Sequence, residues 1–264
     1  MTPVDPDDFR SMFARRFAEA PASFSLIAGW TQRSGSLFFC ADAGLAALEP
    51  VLGTLFTDQW PAAQDGALLA EAERRLARPP TKLISTLPEV RRIAACAAAL
   101  FGRRAREAMH TGCYRLAELR PFTRKGHLRE ARMEDIPLLQ DWDEAMALDA
   151  KLGQTEASLL RGLTQKAVER GQRRIWDDDG PRGTLGFLPI GDAYRISRVY
   201  TPPQYRGQHY ARAAVAALCN ELLGKGGAGT LISLYADLDN PVSNRVYRGI
   251  GFVLEGEQLS IELE

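Results

Sequence analysis

The residues best placed for chemistry form a strand, a tight loop and a helix start: Val199-Tyr200-Thr201-Pro202-Pro203-Gln204-Tyr205-Arg206-Gly207-Gln208-His209-Tyr210-Ala211. The run leading in, Arg195 to Tyr200, is β-branched and aromatic and predicts a strand. Beyond the loop, Ala211, Ala214, Val215, Leu218 and Leu222 recur at helical spacing until Gly224. Such a helix start leaves backbone N–H groups unpaired at the positive end of the helix dipole, which suits an anion such as a diphosphate. Gly207 lets the backbone come close, and Arg206 adds charge. No Gly-Lys-Ser/Thr follows the loop, and the loop itself does not read Gly-x-Gly-x-x-Gly, so it is neither a nucleoside-triphosphate loop nor a dinucleotide fingerprint.

A second segment lies one helix and one strand further on. Asn240-Pro241 opens a helix with a capping side chain and a proline at its first position. Asn240, Ser243, Asn244 and Tyr247 then fall at i, i+3, i+4 and i+7 on one face, while Val242, Val246, Gly249 and Ile250 line another. The apolar stripe is expected to face the core. Two amides, a hydroxyl and a phenol are an unusual solvated face, so the polar stripe is expected to meet a ligand.

Both segments resemble those of the GNAT superfamily, the general N-acetyltransferases. Gln204 to His209 is similar to that family's diphosphate-binding pattern of Gln or Arg, two residues, Gly, one residue, then Gly or Ala. His209 departs from it, standing where the family has a small residue. The run Asn-Pro-x-Ser-Asn-x-x-Tyr-x-x-x-Gly-Phe, from Asn240 to Phe252, resembles the segment that joins the family's fifth strand to its last conserved helix.

The resemblance implies acetyl-CoA as cosubstrate. Val199 and Thr201, with Tyr200 between them, would run beside the pantetheine arm. Arg206, Gly207, Gln208, His209, Tyr210 and Ala211 would cradle the diphosphate, and Asn240, Ser243 and Asn244 would contact the pantetheine. Tyr247 is implied as the acid that protonates the departing thiolate, and the N–H of Val199 or Tyr200 as the donor to the acyl oxygen. The implied activity is transfer of an acetyl group to a primary amine of a small molecule or protein, by direct attack in a ternary complex. The alternatives are a coenzyme A-binding or sensing protein without turnover, and a non-enzymatic interaction protein that keeps the fold but not the site. Asp237, Asp239, Glu144 and Asp192 are acidic near expected strand ends, but nothing singles out one of them as the base.

The elements around these segments predict an α/β domain over residues 123–264, a mixed and mostly antiparallel sheet with flanking helices. His127 to Arg132 reads as a short strand, and Ile136, Leu139, Trp142, Ala145 and Met146 as a helix. Arg173 to Trp176 and Thr184 to Leu188, around Asp177-Asp178-Asp179-Gly180, read as a hairpin. Thr230 to Tyr235, Phe252 to Leu254 and Leu259 to Leu263 read as strands, and Arg120 to Gly126 as a linker. Residues 1–122 predict a smaller N-terminal α/β domain, with helices over Asp7–Ala18, Ala67–Leu76 and Glu89–Arg106 and strands at Leu37–Cys40 and Thr81–Ser85. Cys113 to Leu119 looks like the closing strand of a degenerate copy of the same fold; an unrelated helical domain is the other possibility. This half is expected either to shape the acceptor pocket or to make a homodimer contact.

Composition narrows the class further. The 264 residues are 45% hydrophobic, and no apolar run in the sequence is long enough to span a bilayer. The 33 basic and 33 acidic residues cancel, so neither nucleic acid nor an acidic membrane is an expected partner. Arg103-Arg104 and Arg173-Arg174 read as solvated surface or as part of a phosphate patch. Cys40, Cys96, Cys113 and Cys219 and the three histidines, His110, His127 and His209, show no ligand spacing, so no metal is expected. The acidic, proline-containing N-terminus does not read as a signal peptide, and a cytoplasmic location is expected.

Overall fold

In a computed structural model, residues 1–32, 35–150, 154–227 and 229–264 are described. The loops around 146–165, expected to border the acceptor, therefore include residues outside the described ones. Helices α1 (Pro6–Met12), α2 (Ala14–Glu19) and α3 (Pro21–Trp30) come first, followed by strands β1 (Leu37–Ala41), β2 (Gly44–Glu49) and β3 (Thr54–Asp58). Then come α4 (Asp65–Leu76), β4 (Lys82–Ser85), α5 (Leu87–Phe101) and β5 (Ala105–Leu116). The second half runs β6 (His127–Glu130), α6 (Ile136–Asp149), α7 (Gln154–Glu169), β7 (Arg173–Asp177), β8 (Pro181–Ile190) and β9 (Ala193–Tyr200). It ends with α8 (Tyr210–Gly226), β10 (Leu231–Asp237), α9 (Pro241–Ile250) and β11 (Phe252–Leu263).

Two compact units result. One takes in Met1–Tyr114, Ala236–Asn240 and Leu254–Glu264; the other takes in Arg115–Tyr235 and Pro241–Val253. In the first unit the strand order is β1-β2-β3-β4-β11-β5, with β3 and β4 parallel and β11 antiparallel to β4. Strand β2 is buried along its whole length. Its alternate residues serve two cores: Leu45 and Ala47 pack with Phe9, Phe24, Ile27 and Trp30, and Ala46 and Leu48 with Leu68, Leu69, Val90 and Ile93. At about 1.5–3 kcal/mol for each large side chain buried, these two layers supply most of that unit's driving force.

In the second unit the order is β10-β9-β8-β7-β6, antiparallel except for the parallel pair β9 and β10. Helices α6 and α7 pack over β7 through Leu139, Val168 and Ile175. Helix α8 buries Ala213, Val215, Leu218, Cys219 and Leu222. The sheets are mixed and mostly antiparallel with flanking helices, as expected. No described helix is long and apolar enough to cross a membrane.

Several local expectations shift. The helix expected to reach Arg106 stops at Phe101, because Gly102 adopts a left-handed φ of 64° that caps it, and Ala105 already starts β5. The helix expected over Asp7–Ala18 is two helices hinged at Phe13. The pair Arg173-Arg174 is not solvated surface: the two residues are 1% and 4% exposed on β7. Arg174 instead grips Glu221 of α8 at 2.6 and 3.0 Å and holds its carboxyl down to about 2.

Candidate active site

Strand β9 carries an irregularity just before the loop. Thr184 pairs with Tyr200 and Gly186 with Ser197, so Arg198 and Val199 together oppose Leu185 in a β-bulge. Arg198 takes a left-handed φ of 54°, which costs a non-glycine residue about 1–2 kcal/mol. The bulge puts two residues of β9 opposite one of β8 and locally increases the strand's twist. The pairing of β9 with β10 ends at Ile196 and Leu234, before either strand ends.

A buried ionic cluster holds the bulge. The Arg198 Nη1 donates to Asp143 Oδ2 at 3.1 Å, and Arg173 Nη2 donates to Asp143 Oδ1 at 3.1 Å and to Thr184 Oγ1 at 3.2 Å. Thr164 Oγ1 donates to Asp143 Oδ2 at 2.6 Å. The side chains of Asp143 and Arg173 are each 1% exposed. One carboxylate thus serves two guanidinium groups. Burial pulls the Arg173 guanidinium down to about 10, Asp143 opposing the shift and Arg198 adding to it. Sequence reasoning missed this cluster, because its members lie on α6, α7, β7, β8 and β9 and share no local spacing.

The loop itself turns through a short 3-10 segment at Pro203–Tyr205 and then through two left-handed residues, Gly207 at φ 73° and His209 at φ 63°. His209 precedes α8, and no side chain caps that helix start. The left-handed backbone is a reason for a small residue, above all glycine, at this position. His209 is tolerated with its ring edge-on to Phe122, centroids 5.9 Å apart. Replacing His209 with Gly should leave Tm nearly unchanged, since relief of the left-handed strain offsets the lost ring contact of about 0.5–1.5 kcal/mol. His209→Ala forfeits the contact without relieving the backbone, so thermal unfolding should rank it below both; equal losses for Gly and Ala would refute the backbone explanation.

The segment leading into β6 packs on the loop. Arg124 lies 3.6 Å from the Tyr210 ring centroid and donates to the Gln208 carbonyl, and Arg212 lies 4.3 Å from the Phe122 ring centroid. The Tyr210 hydroxyl donates to Asp178 at 2.9 Å, and this bond, helped by Lys125 and Arg124, lowers the Asp178 carboxyl. Arg206 is less free than the sequence suggested: its Nη2 is paired with Asp149, its Nε donates to the Thr201 carbonyl at 3.0 Å, and its guanidinium lies 5.7 Å from the Tyr200 ring centroid. Burial, with Asp149 adding, raises the Tyr200 hydroxyl.

Helix α9 meets α8 where Arg212 Nη2 donates to the Gly249 carbonyl at 3.2 Å, so the loop helix and the second segment are neighbours. Asn244 and Tyr247 are buried and Ser243 is half-buried, while Asn240 is exposed. The inward face is therefore Asn244, Tyr247 and Ile250. Val242, expected in the core, is 72% exposed; the apolar stripe is displaced by the polar one. The Tyr247 ring stands edge-on to Phe252, centroids 6.2 Å apart, and burial pushes its hydroxyl up to about 12. Of the acidic candidates, Glu144 pairs with Arg161 and Asp237 accepts from the Asp239 N–H at 2.9 Å. Asp192 is exposed in the turn before β9. Among the described residues no group of three His, Cys, Asp or Glu side chains is placed to hold a metal.

Residues 148–252 match the model of the acetyltransferase (GNAT) family. No curated protein matches the chain. Among solved structures, a GCN5-related N-acetyltransferase from Sphaerobacter thermophilus superposes with a TM-score of 0.63 at 14% identity, over 99% of this chain and 94% of that one. A Drosophila protein gives a TM-score of 0.64 at 13% identity, covering 100% and 98%. A tandem GNAT protein from the clavulanic acid biosynthesis pathway gives 0.54 at 13% identity, covering 100% and 97%. Residues 148–252 thus match a GNAT acetyltransferase domain, and the chain has the fold of such proteins along its length.

Proposed function

We propose that the protein is an acetyl-CoA-dependent N-acetyltransferase acting on a primary amine of a small molecule or protein. The reading is carried by the uncapped start of α8 behind Gly207, fed by a bulged strand and flanked by the Asn244–Tyr247 face of α9. The coenzyme fits what is present. A Cβ built on Gly207 meets nothing within 4 Å, so the backbone there borders open space, and His209 gives the start of α8 no side-chain cap.

In this reading Gly207 to Ala211 bind the diphosphate, and Val199 to Thr201 offer main-chain groups to the pantetheine arm in the manner of an added strand. Asn240, Ser243 and Asn244 hold the arm from the other segment. Acetyl-CoA supplies the activated acyl group. Beside the bulge, the main-chain N–H of Val199 or Tyr200 donates to the acyl oxygen, a preorganised donor that needs no rearrangement. Tyr247 delivers a proton to the departing sulfur. We assign the N-terminal unit as a degenerate copy of the fold.

A thermal-shift titration tests the binding step. At 100 Kd, acetyl-CoA should add about 2.7 kcal/mol of stability, roughly 5–10 °C in Tm for a chain of this size; no shift at millimolar ligand sinks the reading. Thiol release from acetyl-CoA across an amine panel tests turnover. Binding without release would point instead to a coenzyme sensor, the reading favoured by the ion pair that occupies Arg206.

Tyr247→Phe should lower kcat by about 100-fold, the low end for a general acid, because a thiol of pKa about 8.5 leaves readily. Coenzyme affinity should be retained. Since the hydroxyl sits near 12, the acid stays protonated below about pH 10, and any alkaline limb of the kcat profile in that range must survive in Tyr247→Phe. Unchanged steady-state transfer removes Tyr247 from the acid role.

A further inference from the structure

The first unit contains a cleft of about 280 Å³ that the transfer chemistry does not use. It arises from a mismatch in strand length. Strand β4 stops at Ser85 and turns into α5, while its parallel neighbour β3 runs on to Asp58 and its antiparallel neighbour β11 extends past the Leu259–Ser85 pair through Gly256 to Gln258. The gap lies at the carboxyl end of a parallel strand pair, the place where open α/β sheets bind ligands. Residues Arg16 to Phe24 of α2 and α3 border it, and β11 secures them: Glu255 accepts from the N–H groups of Ala22 and Ser23 at 2.7 and 3.2 Å, and Gln258 donates to the Ser23 carbonyl at 2.8 Å.

The lining has an apolar part, Phe24 and Phe56, and a carboxylate part: Asp58, Glu19, which pairs with Arg15 at 2.6 Å, and Glu257, one oxygen of which meets His110 Nε2 at 2.8 Å. Arg16 is its one basic side chain. That guanidinium is already committed, Nη1 to Asp58 at 2.7 Å and Nη2 to the Ala43 carbonyl and to Gln59 Oε1 at 2.6 Å. An anion entering here would face two further carboxylates. An ammonium would meet acceptors on both the β3 and β11 sides, with its apolar body against the two phenyl rings. Asp58 is raised by burial and by Glu89 against the pull of Arg16, so its carboxylate gains from an added cation.

We propose that this cleft is a second ligand site, specific for a small primary ammonium with an apolar body, of the size of phenethylammonium. Unlike a diphosphate loop, the turn after β3 has no glycine from Asp58 to Asp65 and carries Asp58 and Asp65, so a coenzyme phosphate is not its ligand.

Calorimetry on the full chain with phenethylammonium, phenylacetate and 2-phenylethanol tests the proposal without reference to acetyl transfer. Saturable binding of the ammonium alone is expected, weakened about tenfold by Asp58→Asn and by Glu257→Gln as a charge-assisted bond is lost. Glu257 is 43% exposed on its side chain, so its variant keeps the fold should Asp58→Asn fail to. Amide shifts on titration should centre on Gln59, Thr86 and Gly256. Phenylacetate binding as well as the ammonium, unchanged affinity in Glu257→Gln, no saturation by about 10 mM, or shifts centred on Val199 to Ala211 would each overturn it.

Discussion

Asp143→Ala should destabilise the protein by about 3–5 kcal/mol, the usual consequence of removing one partner from a buried ion pair. The carboxylate is 1% exposed and accepts from Arg173, Arg198 and Thr164. Without it, the buried Arg173 guanidinium loses its carboxylate and keeps the bond to Thr184 Oγ1 at 3.2 Å. Arg173 is already depressed to about 10 by burial, and its Nε and Nη1 have no hydrogen-bond partner even with Asp143 in place. Urea unfolding should show the midpoint falling with the m-value retained. If the loss comes from stranded charge rather than from a cavity, adding Arg173→Met to Asp143→Leu should recover stability relative to Asp143→Leu alone. A loss under about 1 kcal/mol for Asp143→Ala would show that water already solvates the site.

Gly251→Ala should be comparably severe, at about 3 kcal/mol or more, by a different mechanism. Gly251 adopts φ 112°, a region closed to residues with a Cβ, and an added Cβ would lie 1.8 Å from the Glu118 carbonyl oxygen and 3.0 Å from its carbon. The backbone cannot yield easily. The Ala117 N–H donates to the Gly251 carbonyl at 3.1 Å and the Arg120 N–H to the Ile250 carbonyl at 2.8 Å, binding the two segments together. Gly249→Ala is the control: its Cβ would meet only the Arg212 guanidinium at 3.6 Å, and alanine is the better helix former. Thermal unfolding should separate the two variants by several degrees; equal Tm values would refute the collision.

The loop at Gln204–Ala211 and the helix at Pro241–Ile250 were legible in the sequence because each is local: a strand ends, glycine turns the chain, and a helix begins within a few residues. The hairpin β7–β8 was legible for the same reason. Strands β2 and β3 were not read. Gly44–Glu49 is rich in Ala and Leu and resembles a helix fragment; burial on both faces makes it a strand, and only packing from distant helices creates those faces. On α9 the residue types were right and the orientation incomplete. Asn244 and Tyr247 take the inward face while Val242 points out, because tertiary neighbours and not hydropathy decide which stripe is covered. Asp143, Arg173 and Arg198 lie far apart in sequence, and the doublet at 173 and 174 gave no sign that a strand would carry both inward. The position of His209 looked like a steric departure; its left-handed backbone shows the conformational reason for a small residue there.

The first unit takes residues 254–264 into its sheet between β4 and β5, with Leu259 opposite Ser85 and Ile261 opposite Leu83. That arrangement sets the order of events during synthesis. The N-terminal unit leaves the ribosome with a strand position empty and both neighbouring edges unpaired, and it waits for a segment made more than half a chain later. Contacts of such sequence separation close slowly and leave apolar edges open to misassembly in the interval. The two units therefore mature together, and the start of the chain reaches its native form only after its last strand has emerged.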